Sequence, residues 1–124
     1  MSTFDQVRNI ICEVLEAEPT EVTPTTFVMR DLPTESIDLM EYGVGLTKDC
    51  GVTVQDDTVF LKSMRLHIAQ ATEDNRNVAE HLHSVYPHLT LGRIDEMVAT
   101  IAEGPVLQVQ DIAAYIDHAQ QHKA

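Results

Sequence analysis

The chain has 124 residues, 20 Asp and Glu against 8 Lys and Arg, and a formal net charge of −12. That length makes one domain with a real core. The charge repels nucleic acid and anionic membrane and attracts basic protein partners, so DNA or RNA binding is excluded as an expectation. With no Trp, 3 Phe and 3 Tyr, the core must be mostly aliphatic, which suits small packed helices.

The N-terminus MSTFDQ has neither a basic region nor an apolar run, so it does not read as a signal peptide. Phe4, Val7, Ile11, Val14 and Leu15 fall at helical spacing, and Thr3 followed by Gln6 gives a capping-box pattern. A first helix is predicted over about 3–17, ending before Pro19. Residues 18–35 carry Pro19, Pro24 and Pro33 among many threonines. They read as a long loop, anchored by Val22, Phe27, Met29 and Leu32 and laid across the bundle.

A second helix is predicted over Ser36–Asp49, with Ile37, Met40, Val44 and Leu46 as its apolar side and Gly51 as its C-terminal stop. Residues 52–57 (VTVQDD) look β-like but have no partner strand, so they read as a loop. Leu61, Met64, Ile68 and Ala71 predict a further helix, and TEDNRN (72–77) a polar break. Val78, Leu82 and Val85 predict a helix stopped by Pro87. Leu91, Ile94, Val98 and Ile101 predict another, capped by Thr90 and ended by Gly104-Pro105. Val109, Ile112, Ile116 and Ala119 mark the last helix, with Asp111 in its first turn, where a negative charge favours the helix dipole. The expected class is all-α, a single domain over 1–124, with no run near the roughly 20 apolar residues of a membrane span.

The chemistry on offer is sparse. His81 and His83 point in different directions on a helix, and His118 and His122 could share a face but lack a third ligand. Asp56 and Asp57 lack the alternating ligands and glycine of a calcium loop. Neither a nucleophile elbow nor a glycine-rich phosphate loop is present, so no catalytic constellation and no metal site are expected. Cys12 and Cys50 are lone cysteines outside any CxxC and read as reduced thiols in a cytoplasmic protein. The stretch DLPTESIDLMEY, 31–42, remains. Taken alone, Ser36 is an N-cap serine. A serine at a helix start also sits where free N–H groups and the dipole favour an attached phosphate.

In its register this stretch resembles the acyl carrier protein family, which bears a serine in an Asp-Ser-Leu motif at the start of its second helix. The resemblance runs from Asp31 through Met40-Glu41 to Cys50-Gly51-Val52 and covers about 1–61 and 107–120, with VQDIAAYIDHAQ similar to the family's last helix. It implies a small helical bundle, with about 62–106 an inserted segment of extra helices. It implies that Ser36 accepts 4′-phosphopantetheine from coenzyme A through a phosphopantetheinyl transferase, and that the arm carries acyl groups as thioesters. Partners would be acyl-processing enzymes such as ketosynthases, acyltransferases or acyl ligases of specialised fatty acid, lipid or polyketide biosynthesis, and the protein would be a monomer that catalyses nothing itself. Glu35, Asp38 and Glu41 suit basic patches on such enzymes. The departures are Glu35 for aspartate, Ile37 for leucine and Pro33 for glycine. Gly43 and Gly45, each costing about 1 kcal/mol of helix stability relative to alanine, suggest either close helix packing or room for a long or bulky acyl chain, with Ile37, Met40, Gly43, Val44 and Leu46 as pocket candidates. An aminoacyl or peptidyl carrier and an unmodified helical adaptor remain alternatives.

Overall fold

A computed structural model describes residues 1–122 and contains, among them, α-helices, 3₁₀ turns and no strand. The helices are α1 (Thr3–Leu15), α2 (Ser36–Cys50), α3 (Asp56–Val59), α4 (Met64–Glu73), α5 (Val78–Val85), α6 (Leu91–Thr100) and α7 (Val109–Gln121). The all-α class expected from the sequence is the one observed. Helix α1 buries Val7, Ile10 and Ile11 and packs against both α2 and α7; α7 answers with Val109, Ile112, Ala113 and Ile116. Helices α4, α5 and α6 pack on one another in sequence order. Leu82, Ile94 and Met97 join their buried side to the same apolar cluster that holds α1 and α7.

Several boundaries differ from the periodicity for local reasons. The N-cap of α1 is Ser2, not Thr3. Its hydroxyl accepts from Asp5 N at 3.1 Å, and the Asp5 carboxylate accepts from Ser2 N at 3.1 Å. The helix ends at Glu16, in the left-handed region at φ 56°, which turns the following Ala17 N–H onto the Cys12 carbonyl at 3.1 Å. Gly51 ends α2 in the same region at φ 67°, a conformation that costs glycine least, with its N–H on the Thr47 carbonyl. The VTVQDD segment is a loop only to Gln55; Asp56 begins α3. Leu61 lies outside α4, in the left-handed region at φ 57°, and its side chain is buried all the same.

The long loop is laid across the bundle, as its apolar content predicts, and the anchors are Val22, Val28 and Leu32; Met29 is exposed and Phe27 half-buried. Strand-like hydrogen bonds lace it to the approach of α7. Val28 N donates to Leu107 O at 3.0 Å, Val109 N to Thr26 O at 3.0 Å and Gln110 N to Pro24 O at 2.9 Å. The buried side of α2 is Leu39, Tyr42, Gly43, Leu46 and Cys50. Ile37, Met40 and Val44, expected on that side, are 61%, 60% and 70% exposed, so of the expected four only Leu46 is core. The spacing of 37, 40 and 44 is helical, but a second set at 39, 42, 46 and 50 is helical too, and the core takes that one.

Candidate functional site

Ser36 is the first residue of α2, and the N-cap is Glu35. The Asp38 carboxylate accepts from Glu35 N at 2.8 Å, while Asp38 N and Leu39 N both donate to Glu35 O. The capping duty that a serine at a helix start would ordinarily perform is thus performed by its neighbours. The Ser36 side chain is exposed, and its hydroxyl makes no hydrogen bond among the described residues. The N–H groups of Ser36 and Ile37 are likewise without partners, as first-turn donors of a helix are unless something accepts from them. An unbonded hydroxyl beside two unbonded N–H groups at a positive helix end fits a phosphodiester.

Ser36 also lies on the wall of a cavity of about 420 Å³. Five segments build it: Met29 from the long loop, Ser36 and Leu39 from α2, Phe60 to Lys62 from the α3–α4 turn, Met64 and Arg65 from α4, and Ile101 with Pro105 to Leu107 from the approach to α7. The left-handed backbone at Leu61 contributes to this wall. Such a conformation costs a branched residue about 1–2 kcal/mol and persists only where the surroundings enforce it. The Arg65 guanidinium donates to the Ile101 carbonyl at 2.5 Å, tying two sides of the cavity together.

A shallower groove runs along the opposite side of α2. Ile37, Met40 and Val44 line it with Ile10 and Val14, and Glu13, Glu41 and Asp49 rim it with Lys48. None of Ile37, Met40, Gly43, Val44 and Leu46 lines the cavity beside Ser36. The glycines of α2 stand close to their neighbours: a Cβ on Gly43 would stand 2.8 Å from Asp56 Oδ1, and one on Gly45 would stand 3.0 Å from Ile10 Cγ2, while Gly45 lines the shallower groove and Gly43 a smaller one beside Met40 and Val44. Glu35 and Glu41 are exposed, and Asp38 is half-buried by its capping bond.

Other polar features lie away from Ser36. Arg93 and Asp111 form a bidentate pair, Nε to Oδ1 and Nη2 to Oδ2 both at 2.9 Å, with side chains 12% and 2% exposed. Arg93 Nη2 also donates to Val106 O at 2.8 Å, and Gln108 N donates to Asp111 Oδ2 at 2.8 Å. Burial pushes the Asp111 carboxyl up, against the opposing pull of Arg93 and Gln108. A chain of ring contacts runs from His81 to His67, Tyr86, His88 and Tyr115. Burial pushes the Tyr86 phenol to about 12 and the His88 imidazole down to about 4. Burial also raises both thiols, Cys12 and Cys50, which are free. Among the described residues no cluster of three or more His, Cys, Asp or Glu could hold a metal ion, and no helix is long and apolar enough to cross a membrane. His118 and His122 stack at 4.1 Å.

Sequence reasoning reached Ser36 but not the cavity or the Arg93–Asp111 pair. The cavity's lining is drawn from segments far apart in the chain, and no period links them. The Phe60-Leu61 doublet beside Lys62 was the one local hint, an apolar pair just outside a helix.

Over 57 residues, 46% of the chain, the sequence is 30% identical to the acyl carrier protein of Helicobacter pylori strain G27, and it spans 73% of that protein. The same figures hold for the acyl carrier protein of Helicobacter pylori strain ATCC 700392 / 26695. No protein-family model matches the chain, and no solved structure does.

Proposed function

The chain belongs to the acyl carrier protein family, and we propose that it carries acyl groups on a 4′-phosphopantetheine arm joined to Ser36. One observation carries the assignment: Ser36 presents an exposed, unbonded hydroxyl at the start of α2 and on the wall of a mostly apolar cavity. When attached, the arm supplies a terminal thiol that holds the acyl group as a thioester. The rest of the work falls to the chain's own side chains. The N–H groups of Ser36 and Ile37 face the phosphodiester position. Leu39, Phe60, Leu61, Met64, Val106 and Leu107 offer an apolar shelter that keeps water from the cargo.

The second part of the proposal is docking. A partner enzyme meets the exposed Ile37, Met40 and Val44 stripe, with Glu35 and Glu41 beside it to engage basic side chains. Asp38 contributes through the helix start that it caps. An apolar strip with an acidic rim gives fast, salt-sensitive association that releases readily, as a shuttle requires. The partners are a phosphopantetheinyl transferase and acyl-processing enzymes, in a specialised lipid or polyketide pathway. The 62–106 segment is an elaboration of the smaller carrier plan that walls the cavity.

Coexpression with a broad-specificity transferase followed by intact-mass measurement tests the reading. A gain of roughly 340 Da, the mass of the covalent arm, is expected in the wild-type protein and absent from Ser36→Ala. No gain with several transferases would leave the exposed stripe as the surface of an unmodified helical adaptor.

A further inference from the structure

The wall of the Ser36 cavity has an unusual charge. The chain carries 20 acidic residues, yet no Asp or Glu lines this cavity; its only charged lining residues are Lys62 and Arg65. The groove on the other side of α2 follows the chain's overall bias, with Glu13, Glu41 and Asp49 against Lys48. The other arginines are already engaged: Arg8 with Asp5, Arg93 with Asp111, Arg76 beside Asp74, and Arg30 over the Phe27 ring, while Lys48 lies among the carboxylates of the other groove. Lys62 and Arg65 have no carboxylate partner among the described residues, and Arg65 is held in place by the Ile101 carbonyl. Lys62 and Arg65 are both exposed, and two unneutralised cations on a cavity with no acidic lining residue make a local positive patch on a strongly negative protein.

We propose that Lys62 and Arg65 make this cavity an oxyanion site, and that the acyl group it takes carries a carboxylate. The inference deepens the carrier reading and rests on it for the identity of the cargo. Two groups could bring an oxyanion to these cations: the phosphodiester on Ser36 and a carboxylate at the far end of the acyl chain. The free N–H groups of Ser36 and Ile37 already face the first, which leaves the cations for the second. An apolar lining with a cationic pair suits an acyl chain ending in an anion, because the methylenes displace water while the charge finds charge-assisted hydrogen bonds.

The test loads the full chain with acyl groups of equal length ending in a methyl or a carboxylate, hexanoyl against adipoyl, and measures cleavage of the thioester by hydroxylamine, which releases the acyl group as its hydroxamate and leaves the free thiol. The carboxylate-ended cargo is expected to be protected about threefold to tenfold better, and the advantage is expected to vanish in Lys62→Met/Arg65→Met. Arg65→Lys keeps the charge and should retain part of it; a thermal midpoint close to wild type verifies that each variant is folded. Phosphorus NMR of the bare arm gives the second source its own reading. A signal moved by the double variant, with cleavage equal for the two cargoes, keeps the oxyanion site, assigns it to the phosphodiester and overturns the carboxylate-ended cargo. A third arm needs no attachment: in Ser36→Ala, hexanoate is expected to move the Lys62 and Arg65 side-chain signals and hexanol to leave them. Equal protection, an unmoved phosphorus signal and no response to hexanoate together overturn the proposal. A missing mass gain with a positive hexanoate response would instead overturn the carrier reading and keep the anion site.

Discussion

The α1–α2–α7 frame and the α4–α6 segment are joined into one core by different means. Within the frame, the buried contact is apolar: Val7, Ile10 and Ile11 of α1 meet Leu46 of α2 and Ile112 and Ile116 of α7 in one cluster, all nearly solvent-free, and single hydrogen bonds such as Thr3 to Asp117 and Gln120 to the Cys50 carbonyl lie at its exposed or part-buried edge. The segment adds its own apolar side but is also tied to the frame by directional groups, the Arg93–Asp111 pair and the His88–Tyr115 ring contact. Apolar contact tolerates small slips, whereas a bidentate pair accepts one geometry. The lesson concerns the cavity. Ser36 belongs to the frame and Arg65 to the segment, so the polar ties set how the two sides of the site face each other.

The largest effect should come from cutting the strongest tie. Arg93→Met leaves Asp111 buried without its partner and is expected to cost about 3–5 kcal/mol in urea unfolding. The double substitution Arg93→Met/Asp111→Leu should recover most of that loss, because the buried charge goes with its partner. Leu46→Ala is the frame's counterpart, with an expected cost of about 3 kcal/mol from lost burial and the void left behind. No second substitution of comparable simplicity restores that volume. If Arg93→Met proved no worse than a surface change, the directional ties would carry no weight and the comparison would collapse.

The third effect depends on pH. The folded His88 is held near 4 by burial, with His118 adding a smaller push in the same direction, while Tyr86 and Tyr115 crowd its ring. The unfolded chain takes the proton near the ordinary value of 6.5, so stability is full above that pH. It falls as pH drops towards 4, by about 2 kcal/mol at pH 5. His88→Phe keeps a ring between the two tyrosines and removes the proton site. Comparing the two proteins in denaturant at pH 7 and pH 5 should show a drop smaller by about that amount in the variant; identical drops would remove His88 from the account.

Much of this architecture is legible in the sequence alone. The helices over 78–85, 91–100 and 109–121 follow from their apolar spacing and caps, and Ser36 stands where the register places it. What stayed hidden has a common cause. Periodicity says that a face is apolar but not which of two apolar faces the core selects, and α2 has two. Pairing across the chain, as between Arg93 and Asp111, leaves no local trace when each residue also makes sense alone: Asp111 already serves the start of α7. The cavity was invisible for the same reason, since its walls come from five segments.

The smallest stability effect separates the two faces of α2 most cleanly. Met40→Ser and Val44→Ser alter side chains that are 60% and 70% exposed, so folding should change by no more than about 0.5 kcal/mol each. An apolar residue left in water on a stable helix gains nothing from its position until something covers it. If the stripe is where partners dock, the same substitutions should weaken binding to the cognate transferase by about tenfold or more, since centrally buried interface anchors are typically worth upwards of 1 kcal/mol. Surface plasmon resonance on the folded variants reads this directly. Affinity unchanged in both variants would move docking off this face, while a large loss of stability would mean that Met40 and Val44 belong to the core after all.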